Sequence, residues 1–323
     1  MERKRFALLA CVLAALASLF LGAAALSPGE LLSGTGTAAG RIFWYVRLPR
    51  TAGCLLAGAA LSVAGCVIQN VLANPLASPN IIGVNAGAGL AVTVCCALGC
   101  LSGWVIAGAA FGGAFLAVML VSLAAKAVGA SRTTVILAGV AVNAFLGAIS
   151  DAVTNLVPDA GALSSDFRVG GFGAVVPQRL VPAGVLILIA LGAVFCLCNE
   201  LEVLSLGEDT AKSLGLKAER LRTVFLALAA LLCGAAVSFA GLLGFVGLVA
   251  PHMTRILCRN ETHLQLPITA VFGAVLCLIC DLIARTLFTP YELPVGIVLS
   301  FVGAPFFLYL LLIRKKRSRH DAT

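Results

Sequence analysis

Charge is what this sequence has least of. Asp, Glu, Lys and Arg make up 11% of its 323 residues, against about a quarter in a soluble globular domain, and the mean hydropathy is +1.07. From Thr51 to Ala125 there is no charged residue, a run of about 75 positions, where one bilayer crossing needs roughly 20. An ordinary soluble fold is excluded, and a single buried core helix would not account for the pattern. Histidine is also scarce: His252, His263 and His320 are too few and too scattered for a metal centre. No Ser, His and Asp arrangement suggests a hydrolase. The nearest approach to a phosphate loop, Gly207 to Ser213, has Ala211 where glycine must precede the lysine and two acids in the would-be cradle. It does not bind ATP. Gly34 to Ala39 imitates a dinucleotide fingerprint without a strand and helix around it. Neither a catalytic residue, nor a cofactor, nor a resident metal is expected, so any driving energy must come from a partner or an ion gradient.

What is present is apolar and cut into segments. Charge, Gly and Pro divide the chain into about ten crossings, near 6–26, 51–72, 81–101, 104–125, 134–154, 180–199, 222–240, 243–258, 266–286 and 294–313. The eighth is short and contains Pro251, which predicts a kinked or incomplete helix. The short apolar run before Cys11 does not make a secretory leader, so the first segment reads as a membrane helix. The twelve cysteines lie mostly within apolar stretches and read as small hydrophobes. The charge balance is 22 basic minus 14 acidic, or +8. These basic residues sit between apolar runs, which points to membrane topology and not to nucleic acid. With the amino terminus inside, 16 of the 22 fall on inner segments and 6 outside. The fold class is thus an all-α polytopic membrane protein, a single domain over 1–323, with both termini cytoplasmic. Gly58 to Gly65 is echoed by Gly234 to Gly241, and Pro75 by Pro251, which suggests an inverted repeat.

Three groups of polar residues stand out. In the inner segment 201–221, acids in a first turn, Lys212 near a last turn and Gly215 as a stop predict a helix of about two turns. Leu206, Ala211 and Leu214 would form a small apolar face on it. So short a helix needs a surface to lie on, which is either the protein's own core or a cytoplasmic partner. The second group is outer: Arg47 and Arg50 share a helical face, and Arg285 ends the ninth helix. Each either snorkels to anchor a helix end or meets an acidic partner. Asp281 lies four residues before Arg285, in pairing distance, and Glu292 suits the dipole at the start of the last helix. The third group, Asn70, Asn74, Asn80, Asn85 and Asn143, either lines a path or bonds neighbouring helices.

Arg47-Leu-Pro-Arg-Thr51, Gly58-Ala-Ala-Leu61, Asn74-Pro-Leu-Ala-Ser-Pro79 and Leu137-Ala-Gly-Val140 bring a family into view. So do Leu206 to Gly215, Gly244 to Arg255, Asp281 to Arg285, Glu292 to Gly296 and Gly303 to Phe306. In this order they resemble the FecCD-type permease subunits of ABC importers for iron-siderophores, haem and cobalamin, over about residue 40 to the end. The resemblance implies a type II importer permease with ten helices. Its expected partners are a second permease subunit, a cytoplasmic ABC ATPase dimer and an extracytoplasmic substrate-binding protein, all at the lipid membrane of a prokaryote. It assigns ATPase coupling to Leu206, Gly207, Glu208, Ala211, Leu214 and Gly215, and binding-protein docking to Arg47, Arg50 and Arg285. It further places a cytoplasmic gate at Ser131, Arg132 and Thr133. The implied cargo is an iron(III)-siderophore-type chelate, with haem or cobalamin as alternatives. A gradient-driven secondary transporter is the rival from another class.

Overall fold

A computed structural model describes residues 2–21, 36–129, 131–258, 262–289 and 291–320. Residues 22–26 of the expected first crossing, Gly34, Thr35 and Arg259 lie outside the described residues. The described chain is helical: α1 (Glu2–Phe20), α2 (Ala38–Ile42), α3 (Leu48–Val71), α4 (Val84–Ala97), α5 (Gly103–Ala127), α6 (Arg132–Leu156), α7 (Pro158–Val169), α8 (Pro177–Cys196), α9 (Cys198–Leu206), α10 (Glu208–Ser213), α11 (Ala218–Ala240), α12 (Val246–Cys258), α13 (Thr262–Thr286) and α14 (Val295–His320). A π-helical stretch, Phe43–Arg47, joins α2 to α3 without a break.

Six helices are long and apolar enough to cross a membrane: the continuous Ala38–Val71, α5, α6, α8, α11 and α13. Of the remaining expected crossings, the first and last correspond to α1, of 19 residues, and α14, of 26, and the third and eighth to short helices. α4 has 14 residues, about 21 Å at 1.5 Å per residue. α12 has 13 residues with Pro251 inside it, and starts three residues later than the sequence suggests. Its lead-in, Leu242 to Phe245, is not helical, and Phe245 has φ +64°. Three helices were not anticipated, α2, α7 and α9; all are short, so a search for bilayer-length runs passes over them.

The centre of the bundle is α3, buried along most of its length. α13 packs along it, α11 lies against both α3 and α5, and α12 sits against α3 and α13. Small residues make this possible. A Cβ on Gly58 would collide with the carbonyl of Gly273, and one on Gly273 with that of Gly58. The two backbones are in contact there, and the Ser62 hydroxyl donates across the seam to the Thr269 carbonyl at 2.9 Å. Such close approach is how membrane helices gain packing energy without a hydrophobic drive between them. Gly112 on α5, by contrast, has nothing within 4 Å of a built Cβ. Gly58→Ala is therefore expected to abolish the monodisperse peak of detergent-solubilised protein in size-exclusion chromatography, while Gly112→Ala keeps it. Equal profiles for the two would show that the seam tolerates a methyl group. Cys54, Cys66, Cys233 and Cys277 are fully buried in the core as packing residues.

The pairings of α3 to α6 recur with α11 to α14 exchanged for them: α3 with α13 answers α11 with α5, and α4 with α5 answers α12 with α13. An internal repeat would produce this pattern.

Candidate functional site

The functional candidates gather at the two ends of the bundle. At one end α1 finishes, α3 begins and α13 finishes. Asp281, on α13, is 0% exposed. Arg50 Nε donates to both of its carboxylate oxygens, at 2.9 and 3.1 Å, and Arg285 Nε lies 3.6 Å from Oδ2. Arg50 Nη1 also donates to Glu292 Oε2 at 2.6 Å. Arg285 Nη2 bonds the carbonyl and hydroxyl of Ser18, whose hydroxyl pairs with that of Thr51 at 2.9 Å. Arg47 Nη1 donates to the carbonyls of Leu19 and Phe20 at 2.9 and 2.7 Å, the α1 terminus that carries negative partial charge.

All three arginines singled out for docking are thus buried and tied into the chain. They form no exposed basic patch. The expected Asp281–Arg285 pair exists, but its strongest bonds come from Arg50, 231 residues away. Glu292 binds Arg50 and does not merely cap the last helix; its side chain, 44% exposed, is the most accessible part of the network. Arg50 and Glu292 also line a cavity of about 270 Å³ with Asp166 and Phe172.

At the opposite end lie α9, α10 and the start of α11. The expected short helix is α10, and Gly207, whose φ of +135° is in the region glycine favours, separates it from the preceding α9. α10 carries Glu208 and Asp209 in its first turn and Lys212 in its last, as its charge pattern indicates. Gly215 (φ +80°) ends it: the Gly215 N–H bonds the Lys212 carbonyl and the Leu216 N–H the Ala211 carbonyl, both at 3.0 Å, a Schellman cap. Glu208 is the anchor, accepting from Arg222 Nη2 at 2.6 Å and pairing with Lys212 at 3.1 Å. The Arg222 hydrogen bond, helped by Lys212, holds the Glu208 carboxyl below its ordinary range against the opposing effect of partial burial.

The apolar face expected from Leu206, Ala211 and Leu214 does not form. Ala211 is fully buried against the bundle, whereas Leu206 and Leu214 are 68% and 63% exposed. The Gly207 break turns Leu206 out of the α10 register, so two leucines project from a segment held down by Ala211 and Glu208. Beside Leu206 a cavity of about 310 Å³ is lined by Asn70, Glu202, Arg255 and Gln265.

Ser131, Arg132 and Thr133 form the entry to α6 at this same end. Ser131 is the N-cap, its hydroxyl accepting from the Thr134 N–H at 3.1 Å, and Arg132 Nη2 donates to the Leu204 carbonyl at 2.8 Å. The α6 entry is thus bonded to α9. Midway along α6, Asn143 Nδ2 donates to the carbonyls of Asn80 and Ile81 at 2.7 and 3.2 Å, bonding the turn between α3 and α4. Sequence reasoning passed over Ser18, Arg222 and Arg168. Arg168 lines a cavity of about 750 Å³ between the two ends, and its place in the unanticipated α7 gave it no membrane context.

The FecCD transport family model matches residues 9–313. The Fe(3+)-citrate import system permease YfmD of Bacillus subtilis is 37% identical over 265 residues, 82% of this chain and 79% of that protein. The vitamin B12 import system permease BtuC of Salmonella paratyphi A is 36% identical over 313 residues, 93% of this chain and 92% of that protein. Among solved structures, a metal-chelate type ABC transporter in an inward-facing conformation superposes with a TM-score of 0.86 at 28% identity. The match covers 97% of this chain and 99% of that one.

Proposed function

The chain belongs to the FecCD transport family, and on that premise we propose that it is one of two permease subunits of an importer for an iron(III)-siderophore-type chelate, powered by a separate ATPase dimer. It is an ABC importer permease and a multi-pass membrane protein. The single observation that carries the proposed mechanism is the loop 201–221: a short helix bonded to the bundle by Glu208 and Arg222, with Leu206 and Leu214 left exposed. In this reading the two leucines seat in the ATPase and Gly207, Glu208, Ala211 and Gly215 give the segment its shape.

The same reading sets the topology. α1 runs towards the Asp281 network and α14 runs away from it, so the start of α1 and the end of α14 lie towards the end that carries α10. That end is taken as cytoplasmic, in agreement with the bias of Lys and Arg. Counting α1, α4, α12 and α14 with the six long helices makes ten crossings. Exposed apolar side chains along α6 (Leu137, Val140, Phe145) and α14 (Phe301, Leu308, Tyr309) suit a second subunit. Ser131, Arg132 and Thr133 serve as the cytoplasmic constriction. The binding protein docks at the Asp281 end, where its carboxylate takes the place of Glu292 on Arg50 and lies near Arg47 and Arg285. ATP binding closes the ATPases, α10 moves with them, and access passes from one side to the other. A gradient-driven carrier is disfavoured because Asp281 is paired with two arginines at the end of the bundle.

The iron-citrate relative supports an iron chelate as cargo, while the longer match to the vitamin B12 permease keeps a cobalamin as the second reading. The test is affinity purification of the tagged chain co-expressed with its neighbouring genes, followed by uptake into proteoliposomes. An ATP-binding subunit should be recovered, and uptake of a ferric chelate should require ATP. Purification without an ATPase, together with gradient-driven transport by this chain alone, would overturn the proposal.

A further inference from the structure

A cavity of about 750 Å³ is lined by the turn before α4 and its first turn, the end of α7, the link between α11 and α12, and α14. Its wall follows α14 over the ten residues from Gly296 to Pro305, about 14 Å of helix. Its volume is within the range of small-molecule sites. Its wall is mostly apolar, with Phe245 and Phe301, but it includes Arg168, Asn80, Asn85 and Ser300 and contains no Asp or Glu. The only charge on the wall is positive.

Arg168 is held in place without being neutralised. The α7 end that carries it is fixed by backbone bonds from two other elements: the Leu242 N–H to the Phe167 carbonyl at 2.9 Å and the Gly296 N–H to the Gly170 carbonyl at 3.1 Å. Arg168 Nη2 donates to the hydroxyls of Ser150 at 2.6 Å and Thr93 at 3.1 Å. Thr93 in turn donates to the Gly89 carbonyl at 2.8 Å. These are neutral acceptors, which orient a guanidinium and leave its charge unpaired. Of its five N–H donors, those on Nε and Nη1 have no hydrogen-bond partner among the described residues. Neither neighbouring acid is in salt-bridge distance: Asp151 is exposed on α6, and Asp166 lines the separate cavity with Arg50 and Glu292. A cation that faces a cavity with no counter-ion in salt-bridge distance among the described residues is left to pair with an anion that enters it.

Resting on the importer reading, we propose that Arg168 makes this cavity a transit site for a negatively charged chelate, so that the permease passes anionic cargo and rejects cargo of similar size without net charge. A carboxylate or catecholate edge of the chelate would receive the free N–H groups, with the Asn80 and Asn85 amides supplying further donors. Phe245 and Phe301 would cover its apolar parts.

The experiment uses the complete complex in proteoliposomes, with ferric citrate, haemin and a ferric tris-catecholate as anionic probes and ferrichrome and cyanocobalamin as uncharged ones. ATP-dependent uptake should be confined to the anionic set. Arg168→Gln should lower it by about tenfold or more, the loss of charge-assisted hydrogen bonds. Arg168→Lys should restore most of it, while the size-exclusion profile and ATPase recovery of both variants match the wild type. Uptake of an uncharged probe at an equal or greater rate, failure of a complete complex to take up any anionic probe, or wild-type uptake by Arg168→Gln would each overturn the assignment. Failure to recover an ATPase with the chain would instead defeat the importer reading beneath it.

Discussion

Replacing Leu214 with aspartate is expected to abolish ATP-dependent uptake and to strip the ATPase from the purified chain. Leu214 follows the last residue of α10 and has 63% of its surface exposed, so the chain's own fold gains little from it. Fully burying a leucine against a partner contributes about 1.5–3 kcal/mol. A carboxylate in its place would have to be desolvated at the same interface, and the sum corresponds to a loss of association of at least about a hundredfold. The helix itself should survive, because Glu208 bonded to Arg222 and the Gly215 cap hold it down. A carboxylate at a helix C-terminus costs only tenths of a kcal/mol to about 1 kcal/mol. The measurement is the ratio of ATPase to permease after size-exclusion chromatography, with Leu214→Met as the control that keeps the apolar contact. An undiminished ratio with normal uptake in the aspartate variant would remove Leu214 from the coupling surface.

The largest stability effect is expected at Asp281. Changing it to alanine leaves Arg50 and Arg285 facing each other in a buried site with their shared carboxylate gone. Breaking a buried ion pair from one side costs about 3–5 kcal/mol. For a chain of this size that lowers the apparent melting temperature by about 4–7 °C. Glu292→Gln, on the partly exposed side of the network, should cost no more than about 1 kcal/mol. The contrast between the two separates a clamp built on Asp281 from a general loss of negative charge. A melting temperature for Asp281→Ala within a degree or two of the wild type would show that Arg50 and Arg285 are satisfied without it, for example through Glu292 and Ser18.

The long apolar runs made the helical class legible, since a bilayer admits few other solutions. α5, α6, α8, α11 and α13 follow the expected spans to within a few residues. α7 and α9 escaped because nothing in their composition separates a short interhelical segment from a loop. The arginines were legible as unusual and not as to their partners. Arg50 meets Asp281 across 231 residues, and no local spacing encodes a contact between helices so far apart in the chain. Leu206, Ala211 and Leu214 were placed on one face by assuming an unbroken helix. Gly207 was in plain view, but its φ of +135° was not, and that dihedral decides which leucines face outward. Arg168 lacked any motif: its unpaired charge follows from which residues do not surround it, a property only the assembled cavity has.

The seam between Gly58 and Gly273 has a mechanical meaning as well as an energetic one. With the two backbones touching and Ser62 bonded across to Thr269, α3 and α13 have no cushion of side chains that could rearrange between them. Closely packed interiors transmit strain and do not absorb it. Of the Ala38–Val71 helix, 78% of the most apolar stretch is buried, against 22% for α6. The Ala38–Val71 helix and α13 thus act as a keel. Displacement imposed at one end of that keel reappears at the other with little loss.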